Sequence, residues 1–134
     1  IQSNVINKQC RTIDIFPTIA ELAGINSNEL KNVQGENLLH LIKNENIQER
    51  EVFVETGGLY GPWPSPEKHN VFCLKKNNQK LIYNDVPQTW EFYNLEKDPM
   101  EKNNMYDENS PKIDKFKKTL IKYLKDNEIK TKLT

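Results

Sequence analysis

The sequence predicts an α+β fold: a four-stranded antiparallel sheet with a carboxy-terminal amphipathic helix on one face, preceded by helices that lean on something larger. Three observations carry this. Strand-like runs occur at 51–56, 71–77, 80–85 and 89–95, and the last three are separated only by turn signals. The stretch after Ser110-Pro111 has one apolar stripe at helical spacing. An earlier helical stretch, RTIDIFPTIAELAGI, is apolar around most of its surface and needs a cover.

In chain order, residues 1–11 show no clear period. Thr12 or Asp14 can cap the helix that follows, and Pro17 fits its first turn, where a missing N–H costs little. Ile15, Ile19, Leu22 and Ala23 fall at helical spacing, with Phe16 and Ala20 beside them, and Gly24-Ile25 reads as a C′ glycine with its hydrophobic partner. Residues 26–37 are a polar loop. ENLLHLIKN, 36–44, is a short helix with Leu38, Leu39, Leu41 and Ile42 inward. EVFVET alternates as a strand, with Val52 and Val54 on one face and Phe53 on the other. VFCLKKN, KLIYND and TWEFYNL are rich in β-branched and aromatic residues. Asn77-Asn78 and Asp85-Val86-Pro87 supply the turns, so the strands form a meander. Asp98-Pro99 starts a loop. Ser110 then caps a helix with Pro111 at its first position; Ile113, Phe116, Leu120, Tyr123 and Leu124 line one side and lysines the other. The last ten residues are polar and are expected to fray.

Composition narrows the function classes. The 134 residues carry 19 basic and 19 acidic side chains, a balance that argues against nucleic-acid or membrane-surface binding. Only 36% of residues are hydrophobic, so the core is modest. Cys10 and Cys73 lie in no C-x-x-C or Cys/His cluster, which argues against zinc; two buried or semi-buried free thiols are expected rather than a disulfide. No apolar run approaches the roughly 18 residues that span a membrane, and no signal peptide is visible. The compartment is left unknown, with the cytoplasm slightly favoured. A first residue of Ile rather than Met suggests an excerpt or processed product.

The chain offers little catalytic chemistry. No Ser sits in a nucleophile elbow and no carboxylate cluster has metal-site spacing. Asp14 reads as a helix-start residue, His40 as structural within its Leu-rich helix, and the Lys-rich last helix as a solvated face. The exception is GGLYGPWPSPEKHN, 57–70. Pro62, Pro64 and Pro66 rule out helix and inner strand. Long irregular loops of this kind are often functional. Tyr60 and Trp63 either line a ligand or partner site or fold back over the sheet. His69 either meets an anionic substrate or is an inert exposed imidazole.

Five stretches in order resemble the second half of sulfatases. RTIDIFPTIAELAGI resembles the D-x-x-P-T-x-x-x-L-A-G signature, and VQGENLLHLI the G-x-x-L segment after it. EVFVET resembles the strand before a variable loop, and VFCLKKNNQKLIYND the paired strands written V-R-x-x-x-x-K-x-I. WEFYNLEKDPMEKNNMYD resembles E-L-Y-D-L-x-x-D-P-x-E-x-x-N-L almost position by position, with Phe92, Asn94 and Met105 as departures. The resemblance covers roughly residues 10–126.

Sulfatases are alkaline-phosphatase-like hydrolases of sulfate esters, using a formylglycine made within C-x-P-x-R or S-x-P-x-R and a calcium ion held by Asp and Asn. Neither Cys10, Cys73 nor Ser65 begins such a motif, so no catalytic or metal residue carries over. The resemblance implies that 1–48 is the last segment of the large catalytic α/β domain and 49–134 the small carboxy-terminal subdomain. Calcium and formylglycine would belong to the missing domain, and the 134 residues alone would be inactive. Tyr60, Trp63 and His69 would form a wall of the substrate pocket, since aromatic faces suit sugar or aryl groups. The partners implied are the amino-terminal catalytic domain and a small-molecule or sugar sulfate ester, with no nucleic acid or membrane. The isolated chain is expected to self-associate around Ile15, Ile19 and Leu22. Three alternatives stay open: a phosphodiesterase or phosphonate hydrolase, a stand-alone interaction module, and a degenerate homologue.

Overall fold

The computed structural model describes residues 5–6, 8–26, 29–43, 50–56 and 70–134. They divide into two units, Ile1–Arg50 and Glu51–Thr134. The expected boundary at 48–49 and the loop carrying Tyr60, Trp63 and His69 lie outside the described residues.

In the first unit a 3-10 turn, Thr12–Asp14, runs directly into helix α1, Ile15–Leu22, with Pro17 in its first turn. The helix ends as its sequence dictates. Gly24 takes φ +81°, Gly24 N–H donates to Glu21 O at 3.0 Å, and Ile25 N–H donates to Ala20 O at 3.0 Å. That is a Schellman end, which a side-chain-free residue adopts without strain. The start differs from expectation. Neither Thr12 nor Asp14 caps α1 through its side chain; the Asp14 carboxylate instead takes the backbone N–H of Arg11. Helix α2 is also shorter than the sequence suggests, Leu39–Ile42. The N–H groups of Glu36 and Leu38 are held by Asp14 and Thr18, and Leu39 N–H by Asn37 Oδ1, which delays the first helical turn.

The second unit is the expected meander. Strands β1 (Val52–Thr56), β2 (Val71–Lys76), β3 (Gln79–Asn84) and β4 (Thr89–Asn94) pair antiparallel in sequence order. Asn77, at φ +52°, makes the β2–β3 turn. The register stacks Phe53, Leu74, Leu81 and Phe92 across one face. Helix α3, Pro111–Asp126, lays Ile113, Phe116, Leu120 and Leu124 onto that face. Its Pro111 stands at the helix start as expected, while Ser110 makes no side-chain cap. Phe53, not Val54, faces this core: its ring stacks on Tyr123 at 3.8 Å, and Val54 is exposed. The tail does not fray as expected. Ile129 and Leu133 pack against the core, and Lys132 N–H donates to Asp85 Oδ1 at 2.7 Å.

Candidate functional site

The most organised polar centre in the described residues is Asp14, whose side chain has no solvent exposure. A buried carboxylate survives only if its lone pairs are filled. Oδ1 accepts from the Arg11 guanidinium at 2.9 Å and from Glu36 N–H at 2.9 Å. Oδ2 accepts from Arg11 N–H at 2.9 Å and from the Arg50 guanidinium at 2.9 Å. Glu36 closes the cluster through a 2.9 Å ion pair with Arg50. Burial pushes the Asp14 pKa up, but the hydrogen bonds from Arg11 and Glu36 and the Arg11 charge outweigh it and bring it down to about 2.

Sequence sets this geometry at two further points. Gly35 sits at φ +102°, and a Cβ there would lie 2.2 Å from Ile13 O, so the strand of chain bearing Glu36 N–H approaches Asp14 only because residue 35 is glycine. Thr18 Oγ1 donates to Asp14 O at 2.6 Å and accepts Leu38 N–H at 2.9 Å. The D-x-x-P-T signature is thus a clamp joining the α1 start to residues 35–38. With both oxygens filled by charged and backbone donors, Asp14 is neither a base nor an open ligand. Its partners were the part missed from sequence, and the available signal was that Arg11 and Arg50 are the chain's only arginines.

Helix α1 also carries exposed apolar side chains. Ile15, Phe16, Ile19 and Leu22 are 53%, 58%, 60% and 68% exposed, and Ile13 and Ile25 extend the patch. An apolar patch of this density marks a contact surface.

In the second unit, Asn70 N–H donates to Thr56 O at 3.0 Å, which extends the β1–β2 pairing by one bond. Glu91 is not a free acid: Tyr93 Oη donates to it at 2.5 Å and Asn84 Nδ2 at 2.7 Å. Cys73 is buried, and desolvation pushes its thiol up to about 11, which keeps it unreactive at neutral pH. Cys10 is a free thiol as expected, but exposed. His40 is half-buried on α2. A recess of about 100 Å³ lined by Leu74, Lys76, Phe116 and Thr119 is smaller than the roughly 300 Å³ at which ligand pockets begin. Among the described residues no group of three His, Cys, Asp or Glu could hold a metal ion, so they do not fit a calcium site.

The meander, its helix and the apolar leading helix define a carboxy-terminal region of the sulfatase class. The family described as "N-sulphoglucosamine sulphohydrolase, C-terminal" matches residues 1–130, and the chain belongs to it. Solved structures agree in fold. The protein BT4656, in complex with its substrate D-glucosamine-2-N,6-O-disulfate, is 24% identical with a TM-score of 0.59 over 86% of this chain and 23% of its own. BT1596, a 2-O GAG sulfatase, is 21% identical with a TM-score of 0.63 over 86% of this chain and 24% of its own. A structure from work on glycosaminoglycan metabolism in Bacteroides thetaiotaomicron is 19% identical with a TM-score of 0.60 over 84% of this chain and 26% of its own. The chain thus spans about a quarter of the length of each of these structures. No curated protein matches it.

Proposed function

We propose that this chain completes a sulfatase that hydrolyses sulfate esters of sugars. In this reading residues 1–48 are the closing segment of the large catalytic domain, and 49–134 form the small subdomain beside the active site. The observation that carries it is the α1 surface. Ile15, Phe16, Ile19 and Leu22 project from a helix that is locked at its start by Asp14 and at its end by Gly24, so the patch is preformed. A preformed apolar patch on a chain that matches about one quarter of a 2-O GAG sulfatase fits burial by the remaining three quarters. Formylglycine and calcium would be supplied by that larger part, and this chain alone would not turn over substrate.

The sugar sulfate class is favoured by the neighbours, one of which holds a disulfated glucosamine. Tyr60, Trp63 and His69, between strands β1 and β2 in the sequence, would form a pocket wall. Kinetics of the complete protein on several sulfated sugars tests both levels. Sulfate release is expected, and Trp63→Ala should raise KM or narrow the substrate range. Preference for phosphodiesters over sulfate esters would replace the reading with the phosphodiesterase alternative; unchanged Trp63→Ala kinetics would remove the pocket wall alone.

A further inference from the structure

We propose that the solvent face of α3 binds a sulfated polysaccharide; the choice of a sulfated ligand rests on the sulfatase reading above. In a chain with equal numbers of acids and bases, α3 holds six lysines and only two aspartates. Lys115, Lys118, Lys122 and Lys125 recur at intervals of three and four and are all exposed. They lie opposite the buried stripe of Ile113, Phe116, Leu120 and Leu124. Positive charge therefore recurs about once per 5.4 Å turn along one straight edge.

Two features make this edge more than a solvated face. Lys118, Ile121, Lys122, Lys125 and Asp126 line a shallow open groove, in which half-buried Ile121 offers apolar surface for a sugar ring beside three lysines and one aspartate. The charges are also available. Lys118 pairs with Asp114, and Lys122 with Asp126, through exposed contacts that compete weakly with a polyanion. Among the described residues, no carboxylate pairs with Lys115 or Lys125. Each lysine that meets a sulfate releases a counterion, so affinity should be steeply salt-dependent.

The test uses the complete protein and a heparin-type sulfated oligosaccharide, titrated at several salt concentrations. Replacing Lys115, Lys118, Lys122 and Lys125 by Gln keeps helix propensity, and circular dichroism checks the fold. Binding should weaken at least tenfold at low salt, and the slope of log affinity on log salt should flatten by up to about one unit per lysine. A variant with exposed Lys8, Lys97, Lys102 and Lys130 replaced by Gln loses the same charge and should bind nearly as before. No binding by the unaltered protein, no loss in the α3 variant, or equal loss in both variants would overturn the site. Equal affinity for the desulfated oligosaccharide, for duplex DNA or for phosphatidylserine vesicles would overturn the ligand class. Failure to hydrolyse any sulfate ester would sink the sulfatase reading without altering this binding result.

Discussion

Arg50 reaches back thirty-six positions to place its guanidinium 2.9 Å from Asp14 Oδ2. The contact joins the last residue of the first unit to the residue that opens α1. Because Arg11 meets the same carboxylate from the other side, one buried anion holds three separate pieces of chain, at residues 11–14, 35–36 and 50.

Asp14→Asn should therefore loosen the whole first unit. It leaves two partly buried guanidinium groups facing a neutral, fully buried amide, a loss of about 3 kcal/mol. Backbone hydrogen exchange at Glu36 and Leu38 reads this locally, and protection there should fall roughly a hundredfold. Exchange within β2 and β3 should be unchanged.

The same group sets an acid limit. Its folded pKa, about 2, lies below the ordinary 3.8, so the folded unit binds this proton less tightly than the unfolded chain. Its contribution, about 2 kcal/mol, is complete above about pH 4 and is lost as pH falls from there toward 2. Exchange at Glu36 followed from pH 5 down to 2, after correction for intrinsic rates, should show this step. Asp14→Asn should remove it.

Gly35→Ala should be as damaging as its small size is misleading. The added Cβ would meet Ile13 O at 2.2 Å, and a φ of +102° suits no L side chain. A cost of about 2–3 kcal/mol is expected from backbone strain and displacement of the Glu36 N–H. The readout is the same Glu36 exchange, with Gly24→Ala as a comparison, since open space surrounds that position and only its φ of +81° opposes a side chain.

The isolated 134 residues should self-associate through α1. Burying Ile15, Phe16, Ile19 and Leu22 against a second copy removes apolar surface at about 25 cal/mol per Å². Sedimentation at rising concentration should show a dimer or larger species, and Ile19→Asp should return it to monomer. A strictly monomeric unaltered chain would count against the preformed patch.

How far the sequence could be read depended on where each signal lay. The meander was legible because β-branched and aromatic runs alternate with Asn77-Asn78 and Asp85-Val86-Pro87, and these local cues coincide with the tertiary pairing. Helix α1, its Gly24 end and α3 were legible for the same reason. The facing of β1 was not, because Val52, Phe53 and Val54 are all apolar and only the Tyr123 ring decides which one is inside. The short α2 was not, because its first N–H groups are taken by Asp14 and Thr18 twenty or more positions away. The Asp14 clamp was half legible: the aspartate was identified as a helix-start residue, while its partners came from residues 36 and 50 by folding alone. The expected site residues Tyr60, Trp63 and His69 lie outside the described residues and remain proposals.

The central claim is that the α1 face is an interior surface of a larger sulfatase. The most direct measurement is thiol labelling of Ile19→Cys, in a Cys10→Ser background, in the complete gene product and in the 134-residue chain held monomeric by dilution. The account predicts rapid labelling of the 134 residues and sharply slowed labelling of the complete protein. Equal rates in both, or a complete product no longer than these 134 residues, would contradict it.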